Sequence, residues 1–180
     1  VNMSDSLYDV AVGNVPFGNF GVFDKRYNKE HFLIHDYFFA RTLDKVRPGG
    51  IVAFITSKGT MDKENPAVRK YIAQRADLLG AIRLPNDTIK SAAGTEVTSD
   101  IIFLQTRDRM VDIEPAWVHL NTDANGHKMN QYFVDNPDMI LGDMKEISGP
   151  FGPELACVPF ENLSLEEMLS DAIQNIHAEI

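Results

Sequence analysis

The 180-residue sequence has one cysteine, Cys157, and no long hydrophobic run. A single cysteine excludes an internal disulfide and a thiolate metal cluster, so a reducing compartment, the cytoplasm, is expected. No apolar run approaches the length that spans a bilayer, and the first residues do not resemble a secretion signal. We therefore expect a cytoplasmic protein with no membrane partner.

Basic residues are also scarce, with 17 Lys and Arg against 26 Asp and Glu and a formal net charge of −9. A module that grips DNA by its phosphates needs a basic face. Either a local basic patch exists, or a DNA-gripping surface would lie elsewhere in a larger polypeptide. The length and the 44% apolar content are typical of one cored domain with an appendage.

The sequence is organised around residues 9–18, which read Asp-Val-Ala-Val-Gly-Asn-Val-Pro-Phe-Gly. Val10–Val12 form an apolar run typical of a buried parallel strand, and Gly13–Gly18 interrupt it at its carboxyl end. Open α/β sheets place their chemistry at the carboxyl ends of strands. Residues 14–17 are therefore the first candidate site.

The tetrapeptide Asn14-Val15-Pro16-Phe17 suits methylation of a planar amino group. The exocyclic amine of adenine is a weak nucleophile because its lone pair is conjugated into the ring. An enzyme must therefore hold both N–H bonds and aim the nitrogen at a methyl donor. The side-chain carbonyl of Asn14 and a main-chain carbonyl, such as that of Val15, can accept these bonds. Pro16 stiffens the loop, and Phe17 offers a flat face for an extruded base.

The rest of the chain predicts alternating strands and helices. Apolar residues at helical spacing predict helices at residues 29–46 and 66–76. Buried apolar runs predict three further strands, at residues 51–56, 78–83 and 100–106. After residue 110 we predict a strand at 117–120, a tight turn at Asn125-Gly126 and a hairpin at 143–160. Ser164 and Glu167 form a capping-box signature for a final helix that reaches the chain end.

The polar loop after the second strand is the second candidate site. Ser57, Lys58 and Asp62 are expected to lie beside the Asn14 loop, because carboxyl ends of parallel strands share one edge of a sheet. These residues are therefore candidates for substrate binding. An ordinary strand-to-helix connection explains them equally well.

Two other patterns carry no predicted site. His31 and His35 are four residues apart, as metal ligands on a helix can be, but no third ligand is evident. Gly94-Thr95 lacks the glycine and lysine pattern of a phosphate-binding loop. We therefore expect neither a metal ion nor nucleotide hydrolysis.

Residues 13–18 resemble motif IV of adenine-N6 DNA methyltransferases, usually Asn-Pro-Pro-Phe or Asn-Pro-Pro-Tyr after a short apolar strand. Val15 replaces the first proline, whereas Asn14, Pro16 and Phe17 match. The segment is most similar to large methylases of phage and mobile elements, in which it often reads Gly-Asn-Val-Pro-Phe-Gly. Further along, Arg83-Leu84-Pro85 and Gly94-Thr95-Glu96-Val97 resemble segments that precede the last two strand positions in this family.

The resemblance implies an α/β fold in which residues 1–110 form the C-terminal half of a class I methyltransferase, Rossmann-like sheet. Four strands flanked by helices would be the family's fourth to seventh. Their spatial order would be four-five-seven-six, with the seventh strand antiparallel. Residues 111–180 would form a small α+β appendage of unknown role. The implied reaction is methyl transfer from S-adenosylmethionine to a flipped adenine in DNA.

The same resemblance implies that part of the domain is missing. In this family a glycine-rich turn and an acidic residue bind S-adenosylmethionine, and both precede motif IV. Neither occurs in the eight residues before Asp9, so we expect the chain to belong to a longer protein whose N-terminal half holds the cofactor. The isolated chain is then expected to be inactive and to bind S-adenosylmethionine negligibly. Strand 9–13 would be an unprotected edge, through which the chain could self-associate.

Two other functions remain open. Glutamine-N5 protein methyltransferases that act on release factors apply the same acceptor geometry to a glutamine amide, although their motif usually ends in Tyr rather than Phe17. A degenerate, non-catalytic methyltransferase remnant would instead serve as a scaffold or binding module. The acidic charge and the missing cofactor motif are consistent with that third reading.

Overall fold

A computed structural model describes residues 8–14, 34–90, 96–149 and 152–178. Four strands form one mixed sheet in the order β1-β2-β4-β3: β1 (Tyr8–Asn14), β2 (Val46–Ser57), β3 (Ala76–Lys90) and β4 (Glu96–Thr106). β1 runs parallel to β2, and β4 is antiparallel to both β2 and β3. This arrangement confirms the α/β class and the expected order four-five-seven-six with an antiparallel seventh strand.

Three helices connect these strands: α1 (Ile34–Lys45), α2 (Gly59–Asp62) and α3 (Ala67–Arg75). α1 buries Phe39 and Leu43, four residues apart on one helix face. The Phe39 ring meets the Phe54 ring of β2 edge to face, with centroids 4.3 Å apart. None of the helices in the described ranges is long and apolar enough to cross a membrane.

The two faces of the sheet are covered unequally. Along β2, Val52 and Phe54 on one face are fully buried, whereas Ile51, Ala53 and Ile55 on the other face are partly exposed. In β1, Val10 and Val12 are paired with Ile51 and Ala53 and lie on the same face as these residues. The side chains of Val10 and Val12 are 58% and 77% exposed. Among the described strands β1 is an edge. Self-association through this edge stays a prediction.

The segment after the sheet is a mixed α+β unit. It contains β5 (Leu120–Thr122), β6 (Lys128–Asn130), α4 (Gln131–Asp135), β7 (Asp143–Gly149), β8 (Gly152–Val158) and α5 (Leu165–Ile173). The predicted turn at Asn125-Gly126 is confirmed, and Gly126 has φ +82°. The predicted hairpin β7–β8 and the Ser164 cap of α5 are also confirmed, since the Ser164 hydroxyl accepts the Glu167 N–H.

Several predicted boundaries were wrong. The strand predicted at residues 117–120 begins only at Leu120, because Ala116–Val118 form a 3-10 turn in which the Val118 and His119 N–H groups donate to carbonyls three residues back. Val46 belongs to β2 rather than to α1. The final helix ends at Ile173, after which the chain folds back so that Ile176 packs on Gly80 of β3. The absence of a side chain at Gly80 makes this close approach possible.

The segment after residue 110 shares its core with the sheet. Phe133, Met144 and Cys157 belong to the same hydrophobic cluster as Phe54. The Cys157 N–H also donates to the Thr98 hydroxyl oxygen, at 3.0 Å. The residues that we assigned to an appendage therefore pack directly against the methyltransferase-like sheet.

Candidate functional site

The ends of β1 and β2, which precede the two candidate loops in the sequence, lie at the same edge of the sheet. β1 ends at Asn14, which is paired with Ile55, two residues before Ser57 ends β2. Because the two strands are parallel, the chain leaves both at the same edge. For Asn14 the structure describes the main chain alone. Val15, Pro16 and Phe17 lie outside the described residues, and their catalytic role stays a prediction.

The turn after β2 contains the three other candidate residues. Ser57 and Lys58 are partly exposed, and the Lys58 N–H donates to the Thr98 carbonyl at 2.9 Å. The Asp62 side chain is only 7% exposed and faces the protein interior. The structure therefore places Ser57 and Lys58 at the sheet edge, whereas the Asp62 carboxylate is directed into the fold.

Asp62 is held by a fully buried arginine, Arg83 of β3. The Arg83 Nη1 and Nη2 atoms lie 2.9 and 3.0 Å from the two Asp62 carboxylate oxygens. The Arg83 Nε and Nη2 atoms lie 2.8 and 2.9 Å from those of Asp100 in β4. The guanidinium carbon lies 4.3 Å from the centroid of the Phe133 ring. The Arg83 side chain thus connects β3 to β4 and to α2 through two bidentate contacts, and to α4 through the Phe133 ring.

The electrostatics of this cluster follow from its burial. Burial alone would lower the pKa of Arg83, but attraction by Asp100 and Asp62 outweighs it and holds that pKa above its ordinary value. Burial raises the pKa of Asp100, against the opposing effect of Arg83. Arg83 therefore stays charged, and both oxygens of each carboxyl group face its guanidinium.

Asn130 closes the same cluster from the segment after the sheet. It is fully buried at the end of β6. Its side-chain Nδ2 donates to the carbonyls of Met61 and Trp117, at 2.7 and 2.8 Å. Its Oδ1 accepts the Tyr132 N–H at 2.9 Å, and its own N–H donates to Asp62 at 3.0 Å. The amide group thus has a partner on both its nitrogen and its oxygen.

The sequence interpretation did not single out Arg83, Asp100 or Asn130 as site residues. A signal was present for two of them, because Arg83 and Asp100 stand at the ends of apolar strand segments. Charged residues are rarely buried without a partner, so charges next to two buried strands favour a pair between them. No comparable local signal marks Asn130.

Potential metal ligands are not clustered in the part of the chain that the structure describes. Within the described ranges, no group of three or more His, Cys, Asp or Glu side chains could hold a metal ion. That the isolated chain binds S-adenosylmethionine negligibly stays a prediction.

Cys157 is fully buried, and burial raises the pKa of its thiol to about 12. We expect no reaction of the native protein with a thiol reagent at pH 8, because the thiolate is the reactive form. Full labelling is expected in denaturant. Rapid labelling of the native protein, measured by mass spectrometry, would contradict this burial.

The Cys157 thiol also affects stability at high pH. Since its folded-state pKa exceeds its unfolded-state pKa, the free energy of unfolding falls as the pH rises above about 9.

Comparison with curated sequences finds a phage protein that is similar to part of this chain. No protein-family profile matches the chain. Over 126 residues the chain is 32% identical to the defense against restriction protein B of Escherichia phage P1. The match covers 68% of this chain and 6% of the phage protein. The chain thus spans a small fraction of the length of this relative.

Solved structures similar to the chain include a methyltransferase and a modification subunit of a restriction enzyme. One is described as a class I S-adenosylmethionine-dependent methyltransferase of Listeria monocytogenes, with 24% identity, a TM-score of 0.49, and coverage of 64% of this chain and 36% of that chain. The other is a modification subunit of a type I restriction enzyme from Vibrio vulnificus, with 16% identity, a TM-score of 0.46, and coverage of 92% and 41%. By its own strand order and directions, this chain has the α/β fold expected for half of a class I methyltransferase sheet.

Proposed function

We propose that the chain is the C-terminal half of a DNA adenine-N6 methyltransferase domain and carries its catalytic loop. The observation that carries this proposal is the position of Asn14 at the carboxyl end of a parallel strand, beside the turn that begins at Ser57. Active sites of open α/β sheets lie at this edge. The Asn14 side-chain carbonyl and the Val15 main-chain carbonyl accept hydrogen bonds from the two N–H groups of the adenine amine, and Phe17 stacks on the base.

The half-covered sheet supports a place in a longer protein. Val10 and Val12 form an exposed apolar pair on the edge strand, and such surfaces usually have a partner. The N-terminal half of the domain would pair with β1 and cover these side chains. The phage relative is much longer than the matched region, and its name, which refers to defence against restriction, suits a protein that modifies DNA.

The chain's own residues orient the substrate in this proposal. S-adenosylmethionine, bound mainly by the N-terminal half, would supply the methyl group and leave as S-adenosylhomocysteine, and the methylated amine would release one proton to water. Asn14 and Val15 aim the amine nitrogen, and Lys58 at the same edge attracts a DNA phosphate. The Asp62 carboxylate accepts hydrogen bonds from Arg83 and from the Asn130 N–H, and its role in substrate binding stays a prediction.

The test is methyl transfer by the full-length polypeptide that contains this chain. The protein is incubated with tritiated S-adenosylmethionine and DNA, and the DNA is digested to nucleosides for chromatography. We expect the label in N6-methyladenine. Label on a glutamine amide of an added release factor, with none in DNA, would establish the glutamine methyltransferase instead. A protein that transfers the labelled methyl group to neither substrate would support the non-catalytic scaffold function. Either of these two results would overturn the proposal.

A further inference from the structure

We infer that Asn130 is a positioning residue that holds the turn Lys58–Asp62 at the edge where Asn14 lies. This inference rests on the proposed function, which makes that edge the substrate side of the enzyme. It assigns a role in the site to the segment after the sheet, for which the sequence indicated none. The argument depends on how the turn is held and on what holds Asn130.

The turn contributes little to its own stability. Its helix, α2, is four residues long, and no side chain caps its N-terminus. Two main-chain bonds close it, from the Asp62 N–H to the Lys58 carbonyl and from the Lys63 N–H to the Gly59 carbonyl. An isolated single turn of helix is unstable in water. Its conformation therefore depends on contacts from the rest of the fold.

Asn130 supplies two of these contacts at the last two residues of the turn. Its side chain donates to the Met61 carbonyl at 2.7 Å, and its main-chain N–H donates to Asp62 at 3.0 Å. Arg83 holds the same Asp62 carboxylate, and Arg69 donates to the Thr60 carbonyl at 3.2 Å. The three side chains come from different elements, and Asn130 alone belongs to the segment after the sheet.

Asn130 is itself held rigidly, so it can act as a fixed reference. It caps α4, since its Oδ1 accepts the Tyr132 N–H, and its Nδ2 also reaches the Trp117 carbonyl. The next helical residue, Phe133, is buried against the Arg83 guanidinium. A displacement of α4 or of the 3-10 turn at Trp117 would therefore move the turn. The segment after the sheet thus holds the end of the turn, at Met61 and Asp62, whereas β4 holds its start, where the Lys58 N–H donates to the Thr98 carbonyl.

The first test measures amide hydrogen exchange in the full-length polypeptide, comparing Asn130→Ala with a matched control, Asn136→Ala. Asn136 lies at the other end of α4, and its side chain donates to the Tyr132 carbonyl at 2.8 Å. We expect about tenfold faster exchange in peptides covering residues 58–63 of Asn130→Ala, because the turn loses buried hydrogen bonds. Equal exchange in the two variants would overturn the inference.

The second test compares steady-state kinetics of DNA methylation. We expect Asn130→Ala to raise the KM for DNA about fivefold or more, and to leave kcat within about twofold, because the Asn14 loop is untouched. An effect equal to that of Asn136→Ala would show a purely structural role and overturn the inference. A wild-type protein that methylates no DNA would overturn the proposed function and, with it, the role of Asn130 in substrate binding. The exchange measurement would still report whether Asn130 holds the turn.

Discussion

Replacing Arg83 by methionine is expected to lower the free energy of unfolding by roughly 3–5 kcal/mol, the usual cost of breaking a buried ion pair. Arg83 and Asp100 are both fully buried, and Asp62 is nearly so. The substitution keeps an apolar side chain of similar length but leaves two carboxylates without their cation. Urea denaturation of the wild-type and variant proteins at pH 7 measures the loss.

A matched control separates this effect from the general cost of losing an arginine. Arg75 stacks on the Tyr71 ring at 3.6 Å and donates to the Tyr71 carbonyl, but it is only partly buried. Arg75→Met is expected to cost about 1 kcal/mol or less. If Arg83→Met were no less stable than Arg75→Met, the buried cluster would not have the importance we assign to it.

The pH dependence of the Arg83→Met variant has a definite sign. Burial raises the pKa of Asp100, and Arg83 is the main group that opposes this effect. Without Arg83, the folded-state pKa of Asp100 rises further above its unfolded value, so the native state binds more protons than the unfolded state. The variant should therefore regain stability as the pH falls from 7 toward 5, relative to the wild type. Adding Asp100→Asn, which removes the buried charge, should weaken this dependence.

Replacing Asn14 by alanine is expected to reduce kcat for DNA methylation by roughly a hundredfold or more, the usual effect of losing a preorganised polar group at a reacting centre. In the proposed mechanism Asn14 accepts a hydrogen bond from one N–H of the adenine amine. This bond orients the amine nitrogen toward the methyl donor. The KM for DNA should change little, because most DNA contacts lie elsewhere. Initial rates of tritiated methyl transfer by the full-length polypeptide measure both constants.

The control for this variant is Asn121→Ala. Asn121 lies in β5, and its exposed side chain donates to Gln131, away from the strand that carries Asn14. Its removal should leave kcat within about twofold of the wild-type value, as is usual for a surface substitution. An Asn14→Ala protein that retains a similar rate would exclude Asn14 from the reaction.

The local pattern of the sequence was enough for most of the sheet. The apolar runs at Val10–Val12 and Ile51–Thr56 predicted β1 and the central part of β2, because buried parallel strands need apolar side chains on both faces. The expected burial does not extend to Val10 and Val12, which are exposed in this structure. Boundaries were predicted less well. β3 extends through Pro85 to Lys90, since pairing with β4 continues beyond the apolar run that marked the strand. How far two strands remain paired cannot be read from the residues of one strand alone.

The candidate site was predicted only in part. The sequence placed the Asn14 and Ser57 loops at one edge, and the parallel register of β1 and β2 has that geometry. It also grouped Asp62 with Ser57 and Lys58 because all three are polar and close in the chain. The fold separates them: the Asp62 carboxylate is bound by Arg83, 21 residues away, and by Asn130, 68 residues away.

By itself the sequence determined the alternation of strands and helices, the order of the sheet through its family resemblance, and the edge at which Asn14 lies. These follow from local hydrophobicity and from the topology of parallel strands. Only the tertiary structure decided which polar side chains face that edge and which are buried and hydrogen-bonded to one another inside the fold. Partner choice among Asp62, Arg83, Asp100 and Asn130 depends on three-dimensional distances and on the cost of burying a charge without its counterion, and neither is encoded in residue spacing.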